Sequence, residues 1–146
     1  MKQMIAVAVL DPKDPLTARR VREALREYQS VVIPCASKKA MQAAMIQQRM
    51  DVVVLKLSKP FDEDFRTLAE VQMKAPHAEV IFVAQFDDEM LPAWMEVIQR
   101  GAYEFLPKPL DREELKHHLL RATEKHHPVD PRKRLYATST KSVSAG

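Results

Sequence analysis

Apolar positions along the chain follow two alternating rhythms. Met4–Leu10 (MIAVAVL) is an unbroken apolar run and predicts a buried strand. Asp14-Pro15 then supplies an N-cap with proline at the first helical position. Ala18, Val21, Leu25 and Tyr28 follow at helical spacing, with Arg19, Arg22, Arg26 and Glu27 between them. Val31–Pro34 reads as a short β-branched strand, and Ser37 caps a second helix with Ala40, Met41, Ala44 and Met45 inward. Asp51–Leu57 (DVVVLKL) is the clearest strand, and a third helix runs over Asp62–Lys74 with Phe65, Leu68 and Val71 or Gln72 on one side. Val80–Ala84 (VIFVA) is a fourth strand. The next helix opens at Asp87 or Asp88, carries Leu91, Trp94, Met95 and Ile98, and closes at Gly101 as a C′ residue. Tyr103–Leu106 is a fifth strand. Asp111 at the N-cap with Glu114 at N3 forms a capping box that opens a last helix through about Lys125, with Leu115, Leu119 and Ala122 inward.

Five apolar strands alternating with five amphipathic helices predict an α/β fold, a parallel sheet covered on both faces. Ligand chemistry in such sheets sits outside the carboxyl ends of the strands. That singles out Asp11–Asp14, Lys56–Lys59, Ala84–Asp88 and Pro107–Pro109.

The 146 residues, 46% apolar and 29% charged, fit one globular domain. Residues 1–127 are expected to form it, with 128–146 a flexible basic tail or linker. Arg132, Lys133, Arg134 and Lys141 against Asp130 account for the whole net charge of +3, so residues 1–127 are neutral. The basicity belongs to the tail, whereas a nucleic-acid-binding fold carries its basic stripe in the folded part. No apolar run reaches the roughly 18 residues of a spanning helix, so no membrane partner is expected. Met1-Lys2-Gln3 leads into a strand with no small-residue cleavage site, and Cys35 stands alone. Both features point to the cytoplasm.

With two glycines in the chain, neither a dinucleotide fingerprint nor a P-loop follows any strand. Cys35 reads as a small core residue. His117-His118 and His126-His127 are adjacent pairs, which diverge by about 100° on a helix and make no metal-ligand spacing. The remaining chemistry lies at the strand ends. Lys56 closes the third strand beside Asp11 at the end of the first, and Lys108 in LPKPL reaches the same rim.

At these residues the chain resembles the receiver domains of bacterial two-component response regulators. The likeness covers about residues 3–125, through the first-strand Asp11, DVVVL-x-LSKP, VIFVA and above all GAYEFLPKPLDREEL. It implies a (βα)5 doubly wound, flavodoxin- or CheY-like sheet of order 2-1-3-4-5. It also implies a site in which an Asp at the third strand's end takes a phosphoryl group. Mg²⁺ held by first-strand acids, a Ser or Thr after the fourth strand and a Lys after the fifth assist. On that pattern Lys108 matches the lysine, Phe105 the aromatic switch position and Asp11 one acid. Asp14 is a candidate second acid, because Pro12-Lys13 replaces the adjacent one. Lys56 stands in the phosphoacceptor's place and Ala84 near that of the hydroxyl.

The resemblance therefore implies a degenerate, pseudo-receiver site without catalysis, metal or other cofactor. The expected function is phosphorylation-independent protein–protein signalling. The interaction face expected for a protein partner or a homodimer is the fourth helix, fifth strand and fifth helix, with Trp94, Met95, Arg100 and Tyr103. Strand adjacency in the 2-1-3-4-5 sheet leads to the expectation that Lys56 pairs with Asp11. The alternative is a DNA-associated regulator fragment whose tail touches phosphates or leads to an effector domain. A further option is a phosphotransfer enzyme using Asp62 or Asp64.

Overall fold

The computed structural model describes residues 4–124. Five parallel strands form one sheet: β1 (Ile5–Leu10), β2 (Ser30–Cys35), β3 (Val52–Lys56), β4 (Glu79–Gln85) and β5 (Glu104–Lys108). Their order is β2-β1-β3-β4-β5, as expected. Between and after them run α1 (Leu16–Ala24), α2 (Lys38–Gln47), α3 (Asp62–Lys74), α4 (Met90–Gln99) and α5 (Arg112–Glu124). The fifth helix's predicted end at Lys125, His126-His127 and the basic tail all lie outside the described residues.

Strand alternation divides the core in two. Ala6, Ala8, Val53, Leu55, Phe82 and Phe105 face one way and pack with α2, α3 and α4. Ile5, Val7, Val54, Ile81, Val83 and Leu106 face the other and pack with α1 and α5. Every residue of β1 is buried, which is why that strand reads as a continuous apolar run rather than an alternating one.

The helix starts follow their caps. Asp14 Oδ1 accepts the Leu16 N–H at 3.0 Å with Pro15 already in helical conformation. Ser37 Oγ accepts from Ala40 N at 3.1 Å, Asp87 Oδ1 from Met90 N at 3.1 Å, and Asp111 Oδ2 from Glu114 N at 2.9 Å. Gly101 adopts φ +104° after α4, the left-handed conformation a C′ residue needs.

Three details differ from the sequence expectation. The first helix stops at Ala24, and Tyr28 reaches the α1–α5 core from a following turn. Ala40 is exposed; Met41 and Ala44 make the buried edge of α2. In α4 the buried stripe is Met90, Ala93, Val97 and Ile98, leaving Leu91 and Met95 exposed. Helices here cover a sheet whose apolar side chains are already dense, so a narrow stripe suffices and the broader apolar pattern of α4 is left over.

Candidate functional site

The carboxyl ends of β1, β3, β4 and β5 surround a cleft of about 440 Å³ lined by Asp11, Lys13, Lys56, Lys59, Ala84 and Lys108, among others. Parallel strands end on one rim, so the register puts Lys56 opposite Val83 on β4, and Gln85 opposite Lys108. Lys108 is the last residue of β5 rather than a loop residue.

Lys108 gathers both first-strand acids. Its Nζ donates to Asp11 Oδ2 at 2.6 Å and to Asp14 Oδ2 at 2.8 Å. Asp11 Oδ2 also accepts from Thr17 Oγ1 at 2.6 Å. Burial is the largest single influence on Lys108 and opposes its charge, but the two carboxylates together outweigh it and hold its pKa above the ordinary value. The Lys108 hydrogen bond is likewise what holds Asp14 below its ordinary value, against partial burial. Asp14 thus joins Asp11 on one cation.

Lys56 does not pair with Asp11, and that expectation is corrected. Its ammonium donates to Asp64 Oδ1 at 2.7 Å and to Ser58 Oγ at 3.1 Å. The other Asp64 oxygen accepts the Ser58 N–H at 2.8 Å. The Asp64 side chain is 4% exposed and that of Lys56 34%. The reason is competition: Asp11 already carries two short bonds, while Asp64, in the first turn of α3, is a buried carboxylate with no other cation on it. The rim therefore holds two separate ion clusters, Lys108 with Asp11 and Asp14, and Lys56 with Asp64. Outside them, Lys59 pairs with Glu89 between the β3 and β4 loops.

Ala84 is buried near the end of β4 and presents a methyl group to the cleft. Phe105 is buried, with its ring centroid 5.5 Å from Trp94 and 6.3 Å from Phe86. Phe86, Leu91 and Met95 are exposed around this aromatic group, and Trp94 is half-buried. Tyr103 is half-buried with its ring 6.3 Å from His118 on α5. Arg100 departs from the expected face. Its guanidinium lies 4.6 Å over the Phe65 ring and its carbonyl accepts from Gln72 Nε2 at 2.8 Å, so it ties α4 to α3. Cys35 is buried, and burial pushes its thiol pKa up, as fits a core residue.

Thr17 is absent from the sequence reading, which names Asp64 only as a candidate phosphotransfer residue and Ser58 only within the Lys56–Lys59 rim segment, neither as a partner of Lys56. Helical phase holds the signal for two of them. Asp64 precedes the inward Leu68 and Val71 by four and seven residues, and Thr17 precedes Val21 by four, so both point inward.

A five-stranded sheet of this order, with acids and a lysine meeting at its carboxyl rim, defines a doubly wound α/β domain whose polar site lies at the strand ends. The sequence profile of the response regulator receiver domain matches residues 7–120, and the chain belongs to that family. Solved structures agree in fold. A response regulator from Thermotoga maritima superposes with a TM-score of 0.75 at 17% identity, covering 84% of this chain and 100% of that one. The receiver domain of a Bacteroides fragilis response regulator gives 0.72 at 19% identity, covering 85% and 100%. The chemotaxis response regulator CheY4 of Vibrio cholerae gives 0.65 at 21% identity, covering 82% and 99%. No curated protein matches the chain in sequence. Among the described residues no helix is long and apolar enough to cross a membrane.

Proposed function

We propose that this receiver domain signals by protein–protein contact without being phosphorylated, as a non-catalytic cytoplasmic module. Lys56 at the end of β3 carries the reading. An ammonium held by Asp64 and Ser58 has no lone pair to attack a phosphoryl donor. The donor set equally fails to fit Mg²⁺, which takes oxygen ligands. Asp11 and Asp14 are committed to Lys108, and the third position is a cation. Ala84 has no hydroxyl to bond a phosphoryl oxygen. On this reading Lys108 fills the electropositive centre of the rim permanently and holds the acids in one arrangement.

The contact surface is the outer side of α4 with β5 and α5. Exposed Phe86, with its ring 6.2 Å from half-buried Trp94, and exposed Leu91 and Met95 on the same helix as Trp94 support this placement, because clustered exposed apolar side chains mark interaction sites. The occupant is a protein partner or a second copy of the chain.

The test is chemical. Incubation with Mg²⁺ and acetyl phosphate is expected to leave the intact mass unchanged. A stable gain of about 80 Da, one phosphoryl group, on any aspartate overturns the reading.

A further inference from the structure

Beside the rim cleft lies a second, smaller pocket of about 160 Å³ between β1, β3, the start of α2 and the first turns of α3. Leu10, Pro12, Leu55 and Thr67 form much of its wall, and Lys38, Lys56, Glu63 and Asp64 bring charge to it. Lys56 and Pro12 line both this pocket and the larger cleft. The lysine borders the smaller pocket because its ammonium swings away from Asp11 and toward α3.

Two features define what such a space takes. An apolar protein cavity of about 150 Å³ accommodates benzene, so the apolar part of a ligand here is one small ring or a short branched chain. Two lysines line that space. Lys38 Nζ spans Glu63 Oε2 at 2.7 Å and Glu70 Oε1 at 3.0 Å, and Lys56 Nζ spans Asp64 and Ser58. An ammonium has three donors. These pairings use two on each lysine and leave one apiece for an acceptor. The Lys56 side chain is 34% and that of Lys38 28% exposed, so both are accessible to a ligand. The carboxylates are already engaged, which leaves hydrogen-bond acceptance as the function wanted of the ligand head.

We propose that this pocket binds a small apolar monocarboxylate, its ring or branched chain against Leu10, Leu55 and Thr67 and its carboxylate on the open donors of Lys56 and Lys38. The proposal rests on the reading that Lys56 has replaced phosphorylation, and it supplies that site with a regulatory input. The ligand takes the third donor of Lys56 while Asp64 and Ser58 keep theirs, so occupancy braces the lysine that ties β3 to the first turn of α3. A charge-assisted bond to a ligand is stronger than a neutral one, so the head group and not only the ring decides affinity.

The probe is benzoate, titrated into the full chain and followed by amide chemical shifts, with benzamide as the neutral isostere. Saturable shifts on the order of 1 mM benzoate, centred on Ser37, Lys38, Leu55, Lys56 and Thr67, are expected. Benzamide is expected to bind at least about fivefold more weakly, the lower end for one charge-assisted bond. Lys56→Met is expected to reduce the preference for the acid, with Lys38 still offering a donor, and Thr67→Leu, which fills the pocket while keeping a dispersed spectrum, to weaken benzoate at least tenfold. The proposal is overturned by no saturable shift up to about 10 mM with folded protein, by shifts centred elsewhere, or by equal binding of acid and amide. Undiminished binding to folded Thr67→Leu also overturns it. Intact mass after acetyl phosphate treatment is measured on the same sample. Mass gain refutes the phosphorylation-independent reading, whereas missing benzoate shifts with unchanged mass refute the pocket alone.

Discussion

Replacing Lys56 with Met keeps the aliphatic stem and deletes the charge. The Asp64 carboxylate, whose side chain is 4% exposed, then keeps only the Ser58 N–H on Oδ2 and loses its partner on Oδ1. Exposed ion pairs are worth about 0–1 kcal/mol. Removing one partner of a fully buried pair costs about 3–5 kcal/mol. This pair has one buried and one third-exposed member, and the group left behind is the buried one, so the loss is expected near 2 kcal/mol. Asp64→Asn is the milder change. It still accepts the Ser58 N–H and leaves behind Lys56, which water can reach, so about 1 kcal/mol is expected. Urea unfolding at pH 7 followed by circular dichroism measures both. With a slope of about 1–2 kcal/mol/M, Lys56→Met moves the midpoint down by about 1–2 M. The double variant is expected to show a coupling of at least about 0.5 kcal/mol. Lys56→Met with Asp11→Asn is expected to be additive within about 0.5 kcal/mol, because the two residues share no partner. A midpoint for Lys56→Met indistinguishable from wild type refutes the buried pair. Strong coupling to Asp11 with none to Asp64 refutes the partner assignment.

Gly101→Ala is expected to lower stability by about 1–2 kcal/mol, since φ is +104° and the added Cβ meets Gln72 Nε2 at 2.7 Å; an unchanged melting midpoint contradicts the C′ geometry. Lys108 holds Asp14 below its unfolded value of 3.8, so this contribution is complete above about pH 4 and is lost on acidification below it. Urea midpoints across pH 2–6 are expected to show Asp14→Asn flattening that acid limb, and parallel curves for variant and wild type contradict it. Lys108 is raised above 10.5, so its contribution is complete below that pH and fades only in stronger alkali. Met95→Asp with Leu91→Asp is expected to abolish self-association or partner capture, read by size exclusion, at a stability change within about 0.5 kcal/mol. Unaltered elution and capture place the contact surface elsewhere. Arg100→Glu tests α3–α4 packing instead, through the lost contact over Phe65.

Much of the fold was legible because its signals are local and redundant. VVVL and VIFVA are bounded by turn residues, Ser37 and Asp111 sit one residue outside their helices, and Gly101 marks a left-handed end. Each feature alone is weak, and together they leave one layered arrangement. The errors fall where tertiary packing overrides local pattern. Leu25 and Tyr28 continue the spacing of α1, yet Arg26, Glu27 and Gln29 around them are exposed, and the chain turns instead to reach β2. Leu91 and Met95 carry a helical period that looks like core. The sheet beneath α4 is already filled by Phe82 and Phe105, and they stay outside.

The site was legible in its members and not in its pairings. Adjacent strands bring Cα atoms of β1 and β3 together, and from that adjacency Lys56 and Asp11 look like partners. Pairing is decided by side-chain reach and by which carboxylate is costliest to leave bare. Lys108 crosses the rim from β5 and, with Thr17, satisfies Asp11. Asp64, buried by the same helical phase that buries Leu68, has only a backbone N–H until Lys56 arrives. A buried carboxylate without a cation is penalised by several kcal/mol, far more than the solvated Lys56 gains by choosing an acid that is already satisfied. The preference for Asp64 therefore follows from desolvation rather than from proximity along the sheet. It also leaves the Lys108 cluster and the Lys56 cluster with no shared hydrogen-bond partner. A change of occupant at one of them need not disturb the other, and that is the condition under which a ligand at Lys56 can act while Lys108 keeps the first-strand acids in place.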